Sequence, residues 1–367
     1  MTNKPARIVI LWNVKRILGK MREMLFYKKL DWNFISKPLK EDPSELFNIH
    51  RPTIEDYGLR YRVDGKAKTC YDWWYSAILK DTEEKLYFFI LAFHPKWSFF
   101  RIIRTNMRAR AKQNSLPKFP GLGCDFHEKI GYSEHDEAID IWVSKITKPE
   151  SSKRTFARVT IKPCKSHLIL KTDDMTLDLN FTSLGMPFWI NRGREAICSP
   201  KGDSMSGFYD VSQIEGSLKH LAEKTAISGV GINEHLMSFI PPERFWKRID
   251  GIFFCTDQVY CAIWYLENQI EARRFEYKDG AVFIRATQEY LIPIDLNVEY
   301  LEFDNHKQVP IKIRIQVDTT KGKLNAVAEA IAETEKQLAL KITDGNFIFE
   351  DGRRLRLTNG YGQHALH

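Results

Sequence analysis

The stretch Tyr71-Asp72-Trp73-Trp74-Tyr75-Ser76-Ala77-Ile78-Leu79 decides the fold class of this chain. Large aromatic and branched side chains follow one another without a helical period, and such side chains favour extended strands. Strand alternation places Asp72 and Trp74 on one face and Trp73 and Tyr75 on the other. A face that lines a cavity would hold an acid beside an indole. A second stretch, Gly229-Val230-Gly231-Ile232-Asn233-Glu234-His235, reads as a glycine-rich strand that delivers a carboxylate and an imidazole. Together the two stretches point to an aromatic-walled pocket with groups that can move protons.

Outward from Tyr57 the chain reads as strand after strand. Leu86–Phe93 is an unbroken apolar run of buried-strand length, and residues 139–146, 155–161, 166–171 and 175–181 continue the series between Pro, Gly and Asp turns. The second half opens near Pro241-Pro242. Residues 252–255, 259–266, 270–277, 281–286, 291–301 and 309–317 read as strands, with turns expected at Asp257-Gln258 and Lys278-Asp279-Gly280. One helix is expected at 324–340, where Ala and Glu abound and Leu324, Val327, Ile331 and Leu338 make a stripe. The ending Gly360-Tyr361-Gly362-Gln363-His364 resembles the Gly229–His235 stretch, so each half closes on a Gly-x-Gly strand leading to a histidine. Many short strands with little helix predict an all-β protein of two antiparallel barrels. The expected division is a basic arm at 1–40, a first domain at 41–240 with an insertion at 95–130, and a second domain at 241–367.

The 367 residues suit about two domains, and 43% apolar content is enough for two cores. The formal charge of +8 sits in the arm: residues 1–40 carry ten basic and two acidic side chains, and the rest of the chain balances. Ile10, Leu11, Val14, Ile17, Leu18, Met21, Leu25 and Phe26 recur at helical spacing there, with basic groups between them. Such an amphipathic helix can lie on an anionic membrane surface or pack on the protein's own barrel. A second basic run, residues 101–118, carries six positive charges and no acid. It suits a lid, a second membrane contact or a solvated loop. The six cysteines are scattered, with no CxxC pair, and residues 8–14 are too short an apolar run to span a bilayer. A reduced, cytoplasmic protein is expected, with attachment to the inner membrane face through the arm as its variant.

No P-loop, no Gly-x-Gly-x-x-Gly, no HExxH and no Gly-x-Ser-x-Gly is present. His127-Glu128 and His135-Asp136-Glu137 match no metal-ligand spacing. No metal and no cofactor is expected. Nucleic-acid binding would rest on basic runs alone, with no recognition module behind them, and is not expected.

Asp72-Trp73-Trp74-Tyr75 resembles the Glu/Asp-Trp-Trp-Tyr signature of the two-domain lipocalin-like family that includes hydroxyneurosporene synthase (a carotenoid hydratase), kievitone hydratase and fungal Diels-Alderases. Phe208-Tyr209, Ile214-Glu215-Gly216-Ser217-Leu218 and Gly229–His235 follow in the family's order, and the resemblance runs from about residue 55 to the end. It implies two lipocalin-like barrels with a hydrophobic ligand site between or within them. Leu236-Met237 stand where the hydratases carry Asn-Trp after the histidine. No aspartate in 259–265 matches their Tyr-x-Asp.

The chemistry that fits is protonation of an alkene by a carboxylic acid in an apolar pocket, with aromatic faces steadying the cation. The candidate catalytic residues are Asp72, His235 and Glu234, and alternation lets only one of the last two face a given cavity; the family match favours His235. The candidate ligand-binding residues are Trp73, Trp74, Tyr75, Tyr209, Met237 and Trp264. The leading expectation is a hydratase, cyclase or isomerase acting on a carotenoid-like or terpenoid-like substrate. The alternatives are a non-catalytic carrier of the same lipid and an interaction protein working through residues 1–40 and 101–118.

Overall fold

The computed structural model describes residues 49–58, 62–63, 66–67, 70–94, 97–105, 122–126, 130–146, 154–193, 196–197, 204–238, 248–270, 273–304, 309–334 and 337–366. Two large antiparallel sheets curl into barrel-like cups, so the chain is a two-domain all-β protein as expected. The first sheet runs Cys70–Asp81, Leu86–His94, Trp97–Thr105 and Leu122–Phe126, then Gly131–His135, Ala138–Ile146, Arg154–Lys162, Lys165–Lys171, Met175–Ser183, Ser204–His220 and Glu223–Ser238. Its last strand returns to pair with its first, from Ile227 opposite Asp81 to Ser238 opposite Cys70. The second sheet repeats the plan with Arg248–Cys255, Val259–Ile270, Arg273–Ile284 and Glu289–Leu291, then Pro293–Phe303, Pro310–Thr319, Gly322–Glu333, Gln337–Phe349 and Tyr361–Leu366. There too the closing strand pairs with the opening one, Tyr361–Leu366 against Arg248–Cys255.

Period-two patterning sets each face. Ser166, Leu168 and Leu170 are buried while their neighbours are not, and such inward residues fill the first barrel around Trp73, Tyr75, Leu91, Ile141 and Phe181. Ile252, Ile263, Ile313, Leu324 and Leu340 fill the second. Each fully buried side chain of this size contributes about 1.5–3 kcal/mol. Two further clusters join the barrels. One packs Tyr209, Val211 and Ile232 on Phe253, Trp264 and Phe283; the other sets Ile78, Phe88, Ile90 and Phe99 on Ile331 and Ala339. The shared glycines mark where the last strand of each sheet returns to pair with its first. A Cβ on Gly231 would lie 2.2 Å from the Ser76 carbonyl oxygen, and one on Gly362 would lie 2.2 Å from that of Phe253.

Three expectations need correction. Residues 324–340 form no helix: they are split between strands Gly322–Glu333 and Gln337–Phe349. Alanine favours helix, but Ala326, Ala328 and Ala330 recur every second residue and all point into the second core. Small side chains suit the crowded interior of a barrel wall, and packing overrides propensity. Lys278-Asp279-Gly280 is not a turn but the middle of strand Arg273–Ile284. Asp279 is buried there, accepting from Asn191 N at 2.5 Å, Tyr277 Oη at 2.8 Å and Gly280 N at 2.8 Å. Asp-Gly is a strong hairpin signal, which the fold spends on tying the barrels together. Residues 95–130 are not an insertion between strands, since Trp97–Thr105 and Leu122–Phe126 are strands of the first sheet. The arm at 1–40, residues 106–121 of the expected insertion with the rest of the basic run 101–118, and the boundary near Pro241-Pro242 lie outside the described residues.

Candidate functional site

Strand Glu223–Ser238 is shared by two environments, because one face looks into the first barrel and the other toward the second. Register sorts the candidate residues between them. His235 stands opposite Trp73 on one side and Phe208 on the other. Asn233 stands between Tyr75 and Asp210, and Glu234 between Trp74 and Tyr209. Directly opposed side chains have Cβ atoms about 4.5–5.5 Å apart, so each trio is a contiguous row.

The inner rows belong to the first core. His235 is fully buried, stacked on Trp73 at 4.9 Å and 11° and edge-on to Phe208 at 6.2 Å. Tyr57 lies 6.4 Å away, parallel to the imidazole, and its carbonyl accepts from Trp73 Nε1 at 3.1 Å. Tyr75 meets Phe181 edge-on at 5.4 Å. Position 72 pairs with Leu236, so backbone alternation puts it on the face opposite His235. The two do not share a cavity face. The side chains of Asp72 and Met237 lie outside the described residues; Met237 pairs in register with Tyr71 and Ser206.

A carboxylate that the sequence reading missed joins the inner rows. Asp210 is 2% exposed and accepts from Ser183 Oγ at 2.6 Å. Burial pushes its carboxyl up to about 7, against the opposing pull of the Ser183 hydroxyl and Arg51. The visible signal was its place in the period-two series Phe208, Asp210, Ser212, Ile214, where an acid occupies a core position. The folded protein thus keeps a proton that an unfolded aspartate, at its ordinary 3.8, has released. The stability contributed by this carboxyl is therefore complete below about pH 4 and is lost as pH rises to about 7, where the folded carboxyl ionises. Asp279, pushed up to about 6 mainly by burial, adds in the same direction. Asp210→Asn is expected to flatten that decline and to raise Tm at about pH 8. Thermal melts of both proteins across the range check it, and parallel profiles would refute the assignment.

The outer row faces a cleft between the barrels. Glu234, Tyr209 and Ile232 line it from the first, and Gly251, Phe253, Ala262, Trp264, Gln337 and Gln363 from the second. It encloses about 330 Å³ between atoms, counting the part open to solvent, with room at its centre for about one water. Tyr209 packs on Phe188 at 5.8 Å and on Trp264 at 5.8 Å. Burial holds the Tyr209 phenol well above its ordinary range. The Glu234 carboxylate beside it adds to that push, and the Trp264 side chain opposes it. Trp74, next in the row, is half-buried against Phe99 at 5.3 Å in the neighbouring contact between barrels. Five candidates therefore lie on one face of the sheet or across from it: position 72, Trp74, Tyr209, Glu234 and Trp264. Trp73, Tyr75, His235 and position 237 lie on the other.

The second barrel carries its own buried polar centre. His364, like His235, faces inward from the closing strand, and its Nε2 is 2.6 Å from Asp250 Oδ1. Tyr300 Oη donates to the same oxygen at 2.5 Å, and Arg248 Nε to Oδ2 at 2.6 Å. Among the described residues, no group of three or more His, Cys, Asp or Glu could hold a metal ion, and no helix is long and apolar enough to cross a membrane.

Solved structures share this architecture. Kievitone hydratase from Nectria haematococca superposes with a TM-score of 0.50 at 12% identity, over 92% of this chain and 98% of that one. CghA with Sch210972 gives 0.50 at 8% identity, over 82% and 88%. A Nitrosomonas europaea protein designated as of AttH type gives 0.52 at 11% identity, over 83% and 98%. No family model matches the chain, and no curated protein matches it. At these identities the likeness shows the fold: the paired lipocalin-like barrels implied by Asp72-Trp73-Trp74-Tyr75.

Proposed function

We propose that the chain is an enzyme of the hydratase, cyclase or isomerase type, working on the C=C bond of a hydrophobic, isoprenoid-like substrate held where the cleft between the barrels opens to solvent. The observation that carries it is the neighbouring pair Glu234 and Tyr209 lining the cleft opposite Trp264, with Trp74 next in the row. A carboxyl group in a mostly apolar cleft is the kind of acid that delivers a proton to carbon. Glu234 gives its proton to one alkene carbon, and the cation at the other is steadied by indole and phenol faces, worth up to about 2 kcal/mol when desolvated. Water then adds and gives a proton back to the Glu234 carboxylate, or the carboxylate takes a proton from the neighbouring C–H and the double bond re-forms there. In this reading Glu234 is the catalytic member of the pair, while His235 shapes the wall from the core side. Fold neighbours add support: one is named for hydration and another was solved with Sch210972. The basic arm 1–40 is proposed as a contact with an anionic membrane surface.

Incubation with a panel of isoprenoid alkenes in heavy water tests this. Deuterium is expected at carbon in the product or in recovered substrate, read by mass spectrometry. Alkenes that bind and return unlabelled would make the chain a carrier.

A further inference from the structure

Two amide side chains in the cleft have no use in that mechanism. Gln363 is 1% exposed and Gln337 5% exposed, and both line the cleft from the second barrel. Among the described residues, neither Nε2 nor Oε1 of Gln363 has a hydrogen-bond partner, and neither has Oε1 of Gln337. Gln337 pairs in register with Ala365, two residues from Gln363 on the same strand, so the two amides are diagonal neighbours on one face of the sheet. Glu234 and Tyr209 line the same cleft from the first barrel. Buried polar groups are normally paired, with protein or with ordered water, and one left unpaired is unfavourable. The centre of the cleft has room for about one water, and a buried water needs about two to four polar partners. The three unpaired amide atoms supply that number, and the acid that protonates the substrate lines the same space.

We infer that Gln363, with Gln337, seats the water that adds to the substrate cation, so that hydration is the outcome this cleft favours over isomerisation or cyclisation. The inference rests on Glu234 acting as the acid, and it chooses among the reactions left open there. The alkene stays where the cleft opens to solvent, and the water sits at the closed centre. The water oxygen accepts from Gln363 Nε2. Its two O–H groups have three acceptors lining the same space: Gln363 Oε1, Gln337 Oε1 and, once its proton is spent, the Glu234 carboxylate. A lone pair remains for the cation. The C–O bond forms from that pair, one proton of the water passes to Glu234, and the product is a neutral alcohol with the acid restored. Gln363 is thus a positioning residue. An amide donates and accepts without taking a proton at neutral pH, so it orients the water without competing for the proton that Glu234 must recover.

A crystal structure of the full chain, together with product analysis in heavy water enriched in oxygen-18, tests it. The crystal is expected to show a water hydrogen-bonded to the Gln363 amide and to Gln337 Oε1. The isoprenoid alkenes of the panel are expected to yield chiefly an alcohol carrying both labels, with deuterated alkene as the minor product. Gln363→Met keeps the side chain's length without its hydrogen bonds. It is expected to lower the ratio of alcohol to isomerised alkene about tenfold, while total deuterium at carbon per folded molecule holds. A merely structural role would lower both products together. Gln337→Met is expected to shift the ratio the same way, and supplies the reading if the first variant does not fold. A dry cleft in the crystal, or a ratio unchanged in the folded variants, overturns the inference while deuterium at carbon still upholds Glu234 as the acid. A bound water with no deuterium at carbon from any alkene makes the water structural, and overturns the inference through the failure of the enzyme reading itself.

Discussion

Asp250→Leu is expected to destabilise the second barrel by about 3–5 kcal/mol, the range for removing one partner of a buried charged pair. Asp250 and His364 are both fully buried. Three groups converge on the carboxylate: His364 Nε2, Tyr300 Oη and Arg248 Nε, all within 2.6 Å. The Arg248 guanidinium also stacks over Tyr300 at 4.1 Å and Tyr265 at 4.7 Å and donates to the Val298 carbonyl at 3.0 Å. Removing the acid leaves the imidazole and the phenol facing an apolar stump. Burial alone would push the Asp250 carboxyl up. His364, Arg248 and Tyr300 outweigh that, and it stays below its ordinary 3.8. A depressed carboxyl contributes its stability above the unfolded value and loses it as pH falls through the folded one. The contribution is therefore complete near neutrality and fades only below about pH 4. Urea unfolding near pH 7 measures the effect. His364→Leu and the double variant complete a cycle, and the two changes together are expected to fall short of their sum because they remove one network. A single-variant effect under about 1 kcal/mol would mean the network is held for some reason other than stability.

That centre also shows what the sequence conceals. The Gly-x-Gly ending and its histidine were legible at both closures, because glycine is required where a Cβ on Gly231 or Gly362 would strike a carbonyl of the opening strand. The partner of His364 was not, since Asp250 lies 114 residues away in sequence. Asp250 occupies a core position in the series Asp250, Ile252, Phe254, as Asp210 does beside Phe208. An acid on the inward phase of an otherwise apolar strand is the sequence mark of a buried carboxylate. Alternation correctly parted Trp73 from Trp74 and Glu234 from His235. It could not say which face meets the other barrel, because both faces of Cys70–Asp81 carry large apolar side chains, Trp73, Tyr75 and Leu79 on one and Trp74 and Ile78 on the other. The Ala-rich strand 322–333 and the strand-borne Asp279-Gly280 failed for one shared reason: tertiary contacts outweighed strong local preferences.

Glu234→Gln is expected to lower turnover by about 10²–10⁴-fold, the span associated with a positioned general acid, while leaving affinity for the substrate nearly unchanged. Glutamine keeps the shape of the side chain and can still accept the Tyr209 hydroxyl, so the row Trp74–Glu234–Tyr209 stays packed. What it lacks is a proton acidic enough to give to carbon. The comparison with His235 decides between the two adjacent candidates. His235 is fully buried on the far side of the same strand, stacked on Trp73. His235→Gln is therefore expected to act through the core, lowering Tm and lowering turnover only as far as folded protein is lost. Deuterium transfer per folded molecule, measured for both variants at one temperature, separates the roles. If His235→Gln removes transfer in fully folded protein while Glu234→Gln retains it, the chemistry lies inside the first barrel and the cleft is only its outer wall. A loss confined to Glu234→Gln places the proton on the face where Tyr209 and Trp264 meet.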